Sequence, residues 1–285
     1  MTLSRRTWIQ AAFAAAAPPA IGLIAHVQYA DHPTAGARAY RDSLSKLAAC
    51  ARWFQAQNPR CVVQLGDLTD GGLDNLSAAL KAFKAVGPTR YHVLGNHDAT
   101  IGRAQLAAAL SLQPSWSDHA IGPWRLILLD ATDASILNGA LHPEEGRTLL
   151  DAARAAKSSN AQSWNGGLGQ SQMAWLQRTL DATRAARQRA LVFCHQPILA
   201  EACRPEHLLL NHDAVLAALE GSGAVAAFFC GHDHRGGYAL KNGIHHLTLK
   251  GLVEHPPEEC AAIVELQDNG LRFRTMDGTE RWLSL

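Results

Sequence analysis

Val225-Ala226-Ala227-Phe228-Phe229-Cys230-Gly231-His232-Asp233-His234 runs from six apolar residues directly into a turn that carries two imidazoles. A short unbroken apolar run closed by glycine reads as a strand covered on both faces, as in the parallel sheet of an α/β protein. From such a turn, His232 and His234 both reach one cluster, whereas a lone imidazole more often serves as a hydrogen-bonded core or surface group.

The same grammar extends in both directions. Residues 21–27, 61–65, 91–94, 124–129 and 190–194 are apolar runs, and most are followed by helical periodicity, at 38–57, 73–86, 144–156, 170–187 and 213–220. The alternation implies βαβ units. After Gly231 the pattern changes to short alternating segments at 238–240, 244–249, 261–266 and 271–276, which predict hairpins completing a second sheet. Residues 157–169, rich in Ser, Asn and Gly, form a candidate substrate loop.

Composition excludes several alternatives. With 285 residues the chain can bury a full core in one large domain, set at 21–285 behind a leader of residues 1–20. A net charge of +1 gives no field that would gather nucleic acid, so small phosphorylated molecules are the expected partners. No CxxC pair occurs, and Cys61, Cys194 and Cys230 sit in apolar runs as buried thiols. In the leader, Ser4-Arg5-Arg6-Thr7-Trp8-Ile9-Gln10 followed by an alanine-rich stretch resembles a twin-arginine export signal. A periplasmic or secreted protein is therefore expected, with a cytoplasmic one as the alternative. The apolar stretch is too short to span a bilayer, and no stable membrane insertion is expected.

Five polar turns end strands: His26-Val27-Gln28, Gly66-Asp67, Gly95-Asn96-His97-Asp98, His195-Gln196-Pro197 and Gly231-His232-Asp233-His234. Each alone is ordinary turn chemistry. Together they place carboxylate, amide and imidazole groups where ligands gather, at the carboxyl edge of an α/β sheet. That mixed oxygen and nitrogen set suits Mn, Fe or Zn ions.

These ordered motifs resemble those of the calcineurin-like metallophosphoesterases, over almost the whole chain after the leader. The stretches 24–31 and 40–44, Asn165-Gly166-Gly167 and Trp175-Leu176 are more similar still to the manganese-dependent ADP-ribose/CDP-alcohol diphosphatases. Gln28, where the wider superfamily has histidine, favours that branch, while His26 stands where the family has aspartate. The resemblance implies a four-layer α/β/β/α sandwich of two mixed sheets. It also implies two divalent ions, the first held by His26, Gln28, Asp67 and His234, the second by Asp67, Asn96, His195 and His232, with Asp67 bridging.

The implied reaction is hydrolysis of a nucleotide diphosphate bond by a metal-bridging hydroxide, because two adjacent cations polarise a phosphoryl oxygen and acidify water. His97 is the expected acid or transition-state stabiliser, oriented by Asp98. Arg41 is a candidate phosphate contact, since a guanidinium binds phosphate through paired hydrogen bonds. Asn165, Gly166 and Gly167 are candidate backbone contacts to the substrate. Two other readings stay open. One is a phosphomonoesterase or cyclic-nucleotide phosphodiesterase; the other is a phosphate-ligand binding protein whose first metal site is impaired by His26.

Overall fold

The computed structural model describes residues 17–112 and 115–285. The twin-arginine stretch lies outside the described residues.

Twelve strands among the described residues form two six-stranded sheets. In chain order they are β1 (Ala20–Ile24), β2 (Cys61–Leu65), β3 (Arg90–Val93), β4 (Ser117–Ile121), β5 (Trp124–Leu128) and β6 (Arg189–Phe193), then β7 (Val225–Cys230), β8 (Gly237–Lys241), β9 (Ile244–Thr248), β10 (Ala262–Gln267), β11 (Gly270–Thr275) and β12 (Glu280–Ser284). The first sheet has the order β12-β11-β10-β1-β2-β3, the second β4-β5-β6-β7-β9-β8. Pairing is parallel through β1, β2 and β3 and through β5, β6, β7 and β9, and antiparallel at the remaining junctions.

Alternation along each strand sorts side chains to two covered faces. Ile21, Leu23, Val63 and Leu65 from the first sheet meet Leu126, Leu128, Leu191, Phe193 and Phe229 from the second, forming the layer between the sheets. The other face of the first sheet, with Ile24 and Val62, packs on α1 (Ser43–Gln57) through Leu47 and Phe54 and on α2 (Leu73–Phe83) through Leu76 and Phe83. It also meets Leu106 of α3 (Arg103–Leu110). Beyond α4 (Pro143–Ala155), α5 (Gln170–Ala185) and α6 (His212–Ser222) cover Ile127, Val192 and Phe228 of the second sheet with Leu176, Leu180, Val215 and Leu219. The result is the expected α/β/β/α sandwich. A short α7 (Pro257–Cys260) precedes β10.

Two expectations need correction. Of the hairpin segments, only β8 and β9 complete the second sheet; β10, β11 and β12 return to the first and pair with β1 through β10. Alternation fixes which face a residue occupies, not which open edge a hairpin joins. Likewise the helix expected from residue 38 begins at Ser43, and residues 38–42 precede it, with Arg38 lining the site. The described cysteines are free, and all but Cys203 are buried. Among the described residues no helix is long and apolar enough to cross a membrane.

Candidate active site

All five polar turns meet at one edge of the sandwich. Their backbone is unusual: His26, Gln28, Asp67 and His232 adopt φ values of 51°, 42°, 55° and 64°. Left-handed conformations in residues other than glycine are costly and concentrate where function demands a particular direction of the side chain. Two glycines make room for the convergence. A Cβ on Gly66 would stand 2.2 Å from His195 Nδ1, and one on Gly95 would stand 2.1 Å from Asp67 Oδ1.

Hydrogen bonds at the rear of two imidazoles decide what their fronts present. His195 Nδ1 lies 2.8 Å from the Leu65 carbonyl, which can only accept, so Nδ1 carries the hydrogen and Nε2 presents a lone pair. His232 Nε2 lies 2.9 Å from Asn165 Oδ1, which fixes the hydrogen on Nε2 and leaves Nδ1 bare. His234 makes no such hydrogen bond; its Nδ1 lies beside Glu254 Oε1 at 2.9 Å as an ion pair, with the opposite nitrogen left for the site.

The front atoms crowd together. His195 Nε2 is 3.1 Å from His232 Nδ1, 3.1 Å from Asn96 Oδ1 and 3.3 Å from Asp67 Oδ2. Asn96 offers its amide oxygen, so with His195 neutral all four groups present lone pairs to one another. Such a cluster is repulsive unless a cation sits among it, and its donor set suits a divalent transition metal. Electrostatics agree. Burial opposes charge on His195, yet Asp67 outweighs burial and raises its pKa, so the cluster draws positive charge. Burial also opposes ionisation of Asp67, but His195 and His97 hold it well below the usual carboxylate range.

Beside this cluster lies a second group of donors. His26 Nδ1 is 3.2 Å from Asp67 Oδ2, and the His26 ring packs on that of His234 with centroids 4.2 Å apart. Gln28 donates through Nε2 to Asp70 Oδ2 at 3.1 Å, while its buried Oε1 has no partner. An orphaned buried oxygen at this place is an observation that a bound ion would answer. His26, Gln28, Asp67 and His234 are the side chains here that could hold a second cation.

A cavity of about 390 Å³ opens over both positions, lined by Arg38, Asp67, Asn96, His97, Trp164, His207, His232 and His234. His97 Nδ1 lies 2.8 Å from Asp70 Oδ1. Burial works against its charge, but Asp67 and Asp70 prevail and raise His97 to about 8. Asp98 does not orient His97. Its buried carboxylate accepts from the backbone N–H groups of Asp67, Leu68, Thr69 and Gly95 at 2.8 to 3.1 Å, and so ties the second strand-end turn to the third.

Four expected substrate contacts have other partners in the structure. Arg41 is exposed and donates to Asp31 Oδ1 at 2.7 Å, away from the cavity; Arg38, three residues earlier, lines it instead. Gly166 N–H donates to Gln196 Oε1 and Gly167 N–H to the Ala134 carbonyl, so neither amide is free for a phosphate. Asn165 is fully buried and acts on His232. Sequence reasoning missed Arg38, Asp70, His207 and Glu254. The spacing Asp67-x-x-Asp70 was visible as a possible signal for one of them, whereas the other three come from segments with no motif.

Comparison with known proteins finds relatives over most of the chain. The family profile described as calcineurin-like phosphoesterase matches residues 26–236. A manganese-dependent ADP-ribose/CDP-alcohol diphosphatase of Oryza sativa subsp. japonica is 32% identical, with 84% of this chain and 85% of the relative covered. Its namesake from Danio rerio is 30% identical, with 84% and 89% covered. The crystal structure of a dimetal phosphatase from Danio rerio superposes with a TM-score of 0.84 at 27% identity, covering 94% of this chain and 99% of that one. With a profile matched over most of the chain and a relative of this similarity, the chain belongs to the calcineurin-like phosphoesterase family, and it is a metal-dependent hydrolase of phosphoric esters.

Proposed function

We propose that the chain hydrolyses the diphosphate bond of ADP-ribose-like or CDP-alcohol-like nucleotides. The observation that carries the metal chemistry is the mutual approach of His195 Nε2, His232 Nδ1, Asn96 Oδ1 and Asp67 Oδ2. The substrate class is supported by the names of the relatives, which are matched over 85% and 89% of their length.

His26, Gln28, Asp67 and His234 would hold the first ion and Asp67, Asn96, His195 and His232 the second. When bound, the pair supplies Lewis acidity toward a phosphoryl oxygen and an activated water. The side chains around them divide the remaining work. His97, whose charged form Asp70 favours, delivers a proton to the leaving phosphate oxygen. Asp70 holds the ring in place through Nδ1, so that Nε2 is the donating atom. Arg38 at the rim neutralises phosphate charge, and the half-exposed face of Trp164 offers a platform for a base or ribose.

The test is a set of rates on ADP-ribose, CDP-choline, cyclic AMP and p-nitrophenyl phosphate, each with Mn²⁺, Zn²⁺, Fe²⁺ and chelator. The expected result is the highest kcat/KM on the two diphosphates. A preference for the monoester or the cyclic nucleotide contradicts the proposal and favours the other phosphoesterase readings.

A further inference from the structure

The two metal positions are not built alike, and the difference lies in His26. This residue is fully buried in the turn after β1 and is held there in a left-handed backbone conformation. Its ring is wedged between His195 and His234, with centroids 5.0 and 4.2 Å away. Rotation to another rotamer would drive it into those neighbours.

One ring nitrogen is already directed by a hydrogen bond, and the other, Nδ1, is buried without one. The backbone N–H of His232 donates to His26 Nε2. An acceptor at Nε2 requires the lone pair there, so a neutral ring carries its hydrogen on Nδ1, the atom 3.2 Å from Asp67 Oδ2. That is the opposite of His195, where the Leu65 carbonyl holds the hydrogen at the rear and leaves the bare nitrogen in front. His26 therefore presents an N–H to the site where His195, His232 and His234 present lone pairs.

We propose that His26 makes the dimetal centre asymmetric, with one tightly held ion at Asp67, Asn96, His195 and His232 and one weakly held, exchangeable ion at Gln28, His234 and Asp67. For His26 to ligate, its hydrogen must move to Nε2, where it opposes the His232 N–H and one buried hydrogen bond is lost. If it does not ligate, the ion has one protein donor fewer and an N–H beside it. Losing a buried hydrogen bond of this kind weakens binding by about 10- to 100-fold. The inference rests on the dimetal reading and concerns how the two positions differ in affinity.

Mn²⁺ titration of chelator-stripped protein, followed by calorimetry and electron paramagnetic resonance, tests it without reference to turnover. The wild-type chain is expected to bind Mn²⁺ in two steps whose dissociation constants differ by at least about 10-fold, giving an uncoupled six-line spectrum at one equivalent and a spin-coupled spectrum only at excess. His26→Asp adds an acceptor-only carboxylate and should bring the two constants together, with the coupled spectrum present at two equivalents. Two equal, tight steps in the wild-type chain overturn the proposal while leaving the dimetal reading intact, and they do so whether or not the variant folds. Failure of a well-folded His26→Asp to strengthen the weak step also overturns it. A wild-type chain that binds no Mn²⁺ or Zn²⁺ at all overturns both the proposal and the reading beneath it.

Discussion

The imidazole of His97 is held by Asp70, with Nδ1 2.8 Å from Oδ1, although the residue next to it in sequence is the carboxylate Asp98. That contact raises His97 together with Asp67, and burial opposes both. A group that acts as an acid works only while protonated, so activity should fall as pH rises through the pKa of His97, which Asp70 still raises when metal neutralises Asp67. In Asp70→Asn one of the raising charges is gone. The alkaline limb of kcat should move to lower pH, and kcat at neutral pH should fall by about 10- to 100-fold. An unshifted limb in a folded Asp70→Asn variant would assign the limb to another group.

Asp98 has a different task and a different signature. Its substitution by alanine leaves buried backbone N–H groups of Asp67, Leu68, Thr69 and Gly95 without their acceptor. Unsatisfied buried donors cost roughly 1–3 kcal/mol each before relaxation and water entry, so a net loss of about 2–4 kcal/mol is expected. Thermal and urea unfolding of Asp98→Ala, compared with Asp70→Asn, would show it. The first should be markedly destabilised and the second close to wild type.

Asn165 fixes the hydrogen of His232 on Nε2 and so leaves Nδ1 free to ligate. Asn165→Ala should weaken the tighter ion by about 10- to 100-fold, the usual effect of removing a partner that orients a metal-binding histidine. If instead Asn165 met the substrate, KM would rise with metal affinity unchanged. Metal titration and steady-state kinetics on one preparation separate the two.

Arg38 lines the cavity and Arg41, the residue expected from sequence, does not. Arg38→Ala should raise KM for a diphosphate by about 10-fold or more, the scale of a lost charge-assisted hydrogen bond. Arg41→Ala, which removes only an exposed pair with Asp31, should leave KM within about twofold. Equal effects from both would return Arg41 to the site.

Much of this architecture was legible because buried strands and polar turns carry strong local signals. Strands such as β2 and β7 are unbroken apolar runs, and the turns after them hold the groups that meet. What escaped reading is non-local. Asp70 and Asp98 lie equally close to the motifs, and only the path of the backbone decides which carboxylate turns toward His97 and which toward the amides. Glu254 reaches His234 and Arg38 from a loop far along the chain, with no spacing to announce it. The tautomers of His26 and His195 depend on a backbone amide and a backbone carbonyl, which every residue possesses. The edge strands β4 and β12 carry mixed, partly exposed residues and so lack the apolar pattern that marked the others.

The central claim is that this cluster of lone pairs serves metal-dependent cleavage of a diphosphate bond. The most direct test strips the protein with chelator, supplies ADP-ribose, restores Mn²⁺ and follows the products by phosphorus magnetic resonance. The expected result is no turnover without metal, then equal amounts of AMP and ribose 5-phosphate after Mn²⁺ is added, with neither formed by Asp67→Ala. Turnover by metal-free protein, or release of orthophosphate as the only product, would contradict it.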